Sequence, residues 1–85
     1  MRVLVACPHP LSERMSGSNL RSLEIARQLV MHFDVTVGAP EINIAASAFP
    51  FRMQALRRDQ YVRQVQAYDA VISNGTCIPA RVFSQ

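Results

Sequence analysis

The stretch Arg2-Val3-Leu4-Val5-Ala6-Cys7-Pro8 decides the fold class. Its apolar run is short and β-branched at Val3 and Val5, and it stops at Pro8 and Pro10, which lack the N–H that a strand ladder needs. A continuous apolar run, unlike an alternating one, marks a strand buried on both faces, as in parallel sheets covered by helices. Beyond it, Leu11 to Ser18 is polar and holds Ser12, Ser16, Gly17 and Ser18, so the chain leaves the sheet in a loop. From Asn19 to His32 the spacing predicts an amphipathic helix. Leu23, Ala26, Val30 and then Phe33 recur at intervals of three and four, with Arg21, Glu24, Arg27 and Gln28 opposite. Ser18 or Asn19 caps its first turn. Asp34-Val35-Thr36-Val37 then reads as a second strand, ended by Gly38 and Pro40.

Glu41 to Pro50 reads as a loop with room for a short strand. Phe51 to Tyr68 is rich in helix formers and is expected to form a second helix. Its apolar face is Met53, Leu56, Tyr61, Val65 and Tyr68, interrupted by Arg57. Asp69 to Ser73 closes as a third strand, Asn74-Gly75 as a turn, and Ile78 to Gln85 as the start of another helix. The expected fold is α/β: a three-layer, Rossmann-like parallel sheet, incomplete, in the order β-α-β-α-β plus the start of a further helix. Residues 1–85 form one partial domain. If the third strand lies beside the first, away from the second, strand order reverses at the first strand. Ligands of open α/β sheets bind at such a point, outside the carboxyl ends of the strands.

Composition narrows the function classes. The chain has 85 residues, 49% of them hydrophobic, and a net charge of +3, which fits one small globular core and excludes a disordered or coiled-coil chain. All nine basic residues are Arg, scattered from Arg2 to Arg81. Without an aromatic-interleaved basic patch they give no nucleic-acid footprint. Cys7 and Cys77 have no metal-type spacing with His9 and His32, so no metal site is expected and both cysteines read as free thiols. The apolar run after Arg2 is too short for a signal sequence or a membrane span, and a soluble, cytoplasmic protein is expected.

Four segments, in order, carry a family resemblance. They are Arg2 to Pro8; Met15-Ser16-Gly17-Ser18-Asn19-Leu20-Arg21 and on through Glu24-Ile25-Ala26-Arg27; His32-Phe33-Asp34-Val35-Thr36-Val37; and Tyr68-Asp69-Ala70-Val71-Ile72-Ser73-Asn74-Gly75. Together they resemble the amino-terminal domain of GT-B fold glycosyltransferases similar to family 4. The resemblance implies a hexosyltransferase-type domain that binds a nucleotide-sugar donor and a sugar or lipid acceptor, with no further cofactor. It implies that Gly17, Ser18 and Arg21 approach the donor phosphates, and that His9, Asn74 and Gly75 line the acceptor pocket. Ser18 stands where a second glycine is often found. In that family the donor pocket belongs to a second Rossmann-like domain, so this chain is expected to be a truncated or split piece, inactive until a partner chain completes it. The resemblance assigns no catalytic residue here.

Plainer readings stand beside these. Gly17 also reads as a loop residue, His9 as a solvated histidine, Asn74-Gly75 as turn chemistry and Arg57-Arg58 as a solvated helix face. A Ser/His/Asp set of Ser73, His9 and Asp69 lacks nucleophile-elbow context. The alternative function is a non-catalytic α/β module that forms homo-oligomers through its open sheet edge. A third reading is a stand-alone nucleotide-binding domain.

Overall fold

A computed structural model describes residues 1–73 and the backbone of residues 76–79. The apolar run from Val3 forms β1 (Arg2–Ala6), buried from Val3 through Ala6. The polar loop leads into α1 (Gly17–Leu29), and β2 (Asp34–Ala39) follows. A 3-10 turn at Ala46–Ala48 precedes β3 (Arg52–Ala55), and a second one at Arg58–Gln60 runs into the short helix α2 (Tyr61–Val65). β4 (Ala70–Ser73) and β5 (Thr76–Pro79) complete the described chain. The sheet order is β3-β2-β1-β4-β5. The first four of these strands in space run parallel, and β5 pairs antiparallel with β4. The α/β class is as the sequence predicts, and β4, the third expected strand, lies beside β1 away from β2, so the strand order reverses at β1.

Period-two alternation in β1 divides the core into two layers. Val3, Val5 and Cys7 join Val35, Val37 and Ala39 of β2 beneath Leu23 and Ala26 of α1. Leu4 and Ala6 face the other way and pack with Val71, Val65 and Tyr68 beneath α2. Each fully buried Val or Leu side chain contributes roughly 1.5–3 kcal/mol, so β1 is the strand that both layers share.

Three local expectations need correction. No long helix covers residues 51–68. β2 is buried from Val35 to Ala39, and its outer backbone groups require a partner. β3 supplies it, with Thr36 opposite Arg52 and Ala39 opposite Ala55. This tertiary demand overrides the helix propensity of Met53, Gln54 and Ala55. Ile78 and Pro79 begin no helix, since their backbone lies in β5 opposite Val71 and Ala70; residues 80–85 lie outside the described residues. The cap of α1 is Ser16, not Ser18 or Asn19. Ser16 is extended (φ −66°, ψ 161°), and its hydroxyl accepts from the Asn19 N–H at 3.2 Å.

Asn19 instead turns inward and is fully buried. Its Nδ2 donates to the carbonyl oxygens of His9 (2.9 Å) and Pro10 (3.2 Å), which fastens the loop after β1 to the first turn of α1. Among the described residues its Oδ1 has no partner. The same loop is pinned to the segment after β2. Leu11, also fully buried, donates its N–H to Glu41 and accepts from Asn43, at 2.8 and 2.7 Å.

Asn19→Ala should destabilise the fold by about 1–3 kcal/mol, the cost of leaving buried acceptors unpaired. Asn19→Asp should cost more, because it turns a buried carboxylate toward two carbonyl oxygens. Urea midpoints of the two variants check this order, and equal midpoints would contradict it.

Candidate functional site

The loops that follow the parallel strands gather at one edge of the sheet. A cleft of about 680 Å³ opens there, lined by Ala6, Cys7 and Pro8 at the end of β1, Pro40 after β2, Leu56, Arg58, Tyr61 and Val62 on the approach to and into α2, and Ser73 at the end of β4. It therefore lies against the switch in strand order, where open α/β sheets hold ligands.

Its walls are fixed by backbone and side-chain bonds. The Cys7 N–H donates to Gly38 O (2.7 Å), and the Leu56 N–H donates to Ala39 O (2.7 Å). Gly38 leaves room for its neighbour: a Cβ there would meet the Leu56 side chain at 2.7–2.9 Å and push it aside. The Gln64 amide brackets the chain on either side of Leu56. Its Nε2 donates to Ala55 O, and its Oε1 accepts from the Arg57 N–H, both at 2.9 Å. The Tyr68 hydroxyl donates to Gln54 Oε1 at 2.7 Å. These contacts seat the segment carrying Arg58, Tyr61 and Val62 over the sheet.

The electrostatics of the lining are simple. Arg58 is its one charged residue among those described, and no carboxylate lines the cleft. The nearby Asp59 carboxylate faces Arg57 instead, at 3.9 Å. Both partners are about 70% exposed (69% and 73%), so the pair contributes little to stability. Cys7 is a buried free thiol. Burial pushes its pKa up and a hydrogen bond with Ser22 partly offsets this, so the sulfur stays protonated and is a poor nucleophile.

Gly17, Ser18 and Arg21 lie on the first turns of α1, all exposed, at the same carboxyl edge but from the opposite face of the sheet. A side chain at Gly17 would meet open space, so no close approach there demands glycine. Arg21 makes no ion pair among the described residues. His9 is exposed beside the cleft and does not line it; its carbonyl oxygen holds Asn19. Asn74 and Gly75 lie outside the described residues, as does the side chain of Cys77. Among the described residues no cluster of His, Cys, Asp or Glu has the makings of a metal site, and no helix is long and apolar enough to cross a membrane.

Sequence reasoning missed the α2 side of the cleft. The signal was the gap of five positions between Leu56 and Tyr61, which sets them about 140° apart on a helical wheel and spreads the apolar residues over about half the circumference instead of a stripe. Comparison with protein-family models, curated proteins and solved structures found no match.

Gln64→Ala should release the Arg57 N–H and Ala55 O together and loosen the cleft wall. The bonds are exposed, so the expected loss is about 0.5–1.5 kcal/mol. Amide exchange at Arg57 should rise relative to Val5, and unchanged exchange at Arg57 would rule out this role for Gln64.

Proposed function

We propose that this chain is a glycosyltransferase-like amino-terminal domain that supplies acceptor and phosphate contacts for sugar transfer from a nucleotide-sugar donor. The observation that carries the reading is the convergence at one sheet edge of the cleft, the loop after β1 and the amino terminus of α1. The four ordered motifs support it independently. In this reading the exposed first turn of α1 receives a donor phosphate. Unpaired backbone N–H groups and the helix dipole, equivalent to roughly half a positive charge, favour an anion there. Arg21 adds a charge-assisted contact. The cleft lined by Pro8, Tyr61 and Ser73 receives the sugar or lipid acceptor.

The division of labour follows from the chemistry of the residues. The cleft lining has no carboxylate or histidine among the described residues to act as a general base, and the Cys7 thiol is held protonated. The chain's part is therefore to bind and orient, with the transfer completed by a donor-binding domain, whether in a second chain or elsewhere in the same protein. A free buried thiol at Cys7 suits the reducing conditions of the cytoplasm, where this reading puts the protein.

The rival reading is an interaction module that pairs through an open sheet edge. Against pairing through β3, one of the two edges, that strand has only four residues, begins with an exposed Arg52 and carries Gln54. Short, charged strands are how proteins blunt an edge.

Calorimetric titration with uridine and guanosine diphosphate sugars distinguishes the readings. Saturable binding, weakened at least about threefold by Arg21→Ala, supports the proposed role of α1. No saturable heat at millimolar donor, with and without a co-expressed partner, would overturn it.

A further inference from the structure

The cleft has a polarity of its own. Pro8 and Pro40 form part of the rim, and proline has neither an N–H to donate nor freedom in φ. The neighbouring backbone amides of Cys7 and Leu56 are already committed to Gly38 O and Ala39 O. Those two amides are therefore closed to an incoming acceptor atom. What the mouth does offer is the Arg58 guanidinium, which is exposed and makes no hydrogen bond or ion pair among the described residues. Beside it stand the Tyr61 ring and Val62, a valine left 50% exposed on the cleft wall. Leu56 and Ala6 continue the apolar surface inward.

We infer that the cleft selects a small amphiphile with a single anionic group, seating the anion on Arg58 and the apolar body against Leu56, Tyr61 and Val62. Two features point to this. The lining carries one positive charge with no carboxylate to oppose it, and a guanidinium offers five donors in a planar fork matched to phosphate or carboxylate oxygens. The volume of about 680 Å³ accommodates a molecule of a few rings. This inference deepens the proposed acceptor site and rests on that reading only for the use made of the ligand. Binding itself requires no donor and no second domain.

The test uses the whole chain and two fluorescent probes that share one ring system, 4-methylumbelliferyl phosphate and neutral 4-methylumbelliferone, with inorganic phosphate as a third ligand. The phosphate ester should bind at least about tenfold more tightly than the neutral probe, as a charge-assisted contact predicts, and also more tightly than inorganic phosphate. Arg58→Gln should bring the two fluorescent probes to within about twofold of each other. Arg63→Gln, on α2 but outside the cleft lining, should leave the preference intact. Val62→Asp, on an exposed wall position, should weaken the ester. Far-UV circular dichroism confirms that each variant folds.

Equal affinity for the two probes, an unchanged preference in Arg58→Gln, an equal loss in Arg63→Gln, or no binding of any probe at millimolar concentration would each overturn the inference. Probe binding with a blank donor titration would keep the anion site and remove the transferase reading. The converse result would do the opposite.

Discussion

Everything in this fold follows from burying β1 on both faces. Val3, Leu4, Val5 and Ala6 are all withdrawn from solvent, so their backbone groups have no water to bond and must find partners along both edges of the strand. β2 meets one edge, with Val5 opposite Val37, and β4 meets the other, with Val5 opposite Ile72. The side chains impose the same requirement in the perpendicular direction. Odd positions need α1 and even positions need α2. A strand closed in on four sides can sit only at the centre of a three-layer sheet.

The site is a consequence of that position. The connection through α1 passes over one face and the connection through α2 over the other, while β1, β2, β3 and β4 all point the same way. Their following segments therefore meet at a single edge, with β1 between the two departures. Small contacts then set the shape of that edge. Asn19 holds the loop after β1, Gly38 makes room for Leu56, and the Gln64 amide seats the chain that carries Arg58. These three residues have no assigned ligand contact; they decide where the residues that bind will stand.

Much of the architecture was legible because periodicity reports burial. The continuous run at Val3 to Cys7 and the three-and-four spacing at Leu23 and Ala26 name the strand and the helix that cover each other. β3 was not legible in this way. Met53, Gln54 and Ala55 favour a helix locally, and only the unmet hydrogen bonds of β2, a strand well before them in the chain, make them extended. The buried Asn19 was hidden for a similar reason. Its position at the start of a helix reads as a cap, whereas the neighbouring Ser16 takes that task and leaves the amide free to bind the loop. The site was half legible: the start of α1 and, given the placement of the third expected strand, the switch point follow from the order of elements, and Tyr61 lies on a helix as expected, but Leu56 and Arg58 do not, because a strand and a 3-10 turn replace the first part of the helix expected over 51–68.

The central claim, that β1 is the strand on which both layers and the carboxyl-edge site are built, is tested most directly by native-state amide hydrogen exchange. The central strand of the sheet, whose neighbours are themselves paired on their far sides, is expected to open only with the whole fold. The amides of Leu4, Val5 and Ala6 should therefore exchange most slowly of all, at the rate of global unfolding, with β2 close behind and the β3 edge faster. Fast exchange in β1, or slowest exchange in β3, would contradict the claim.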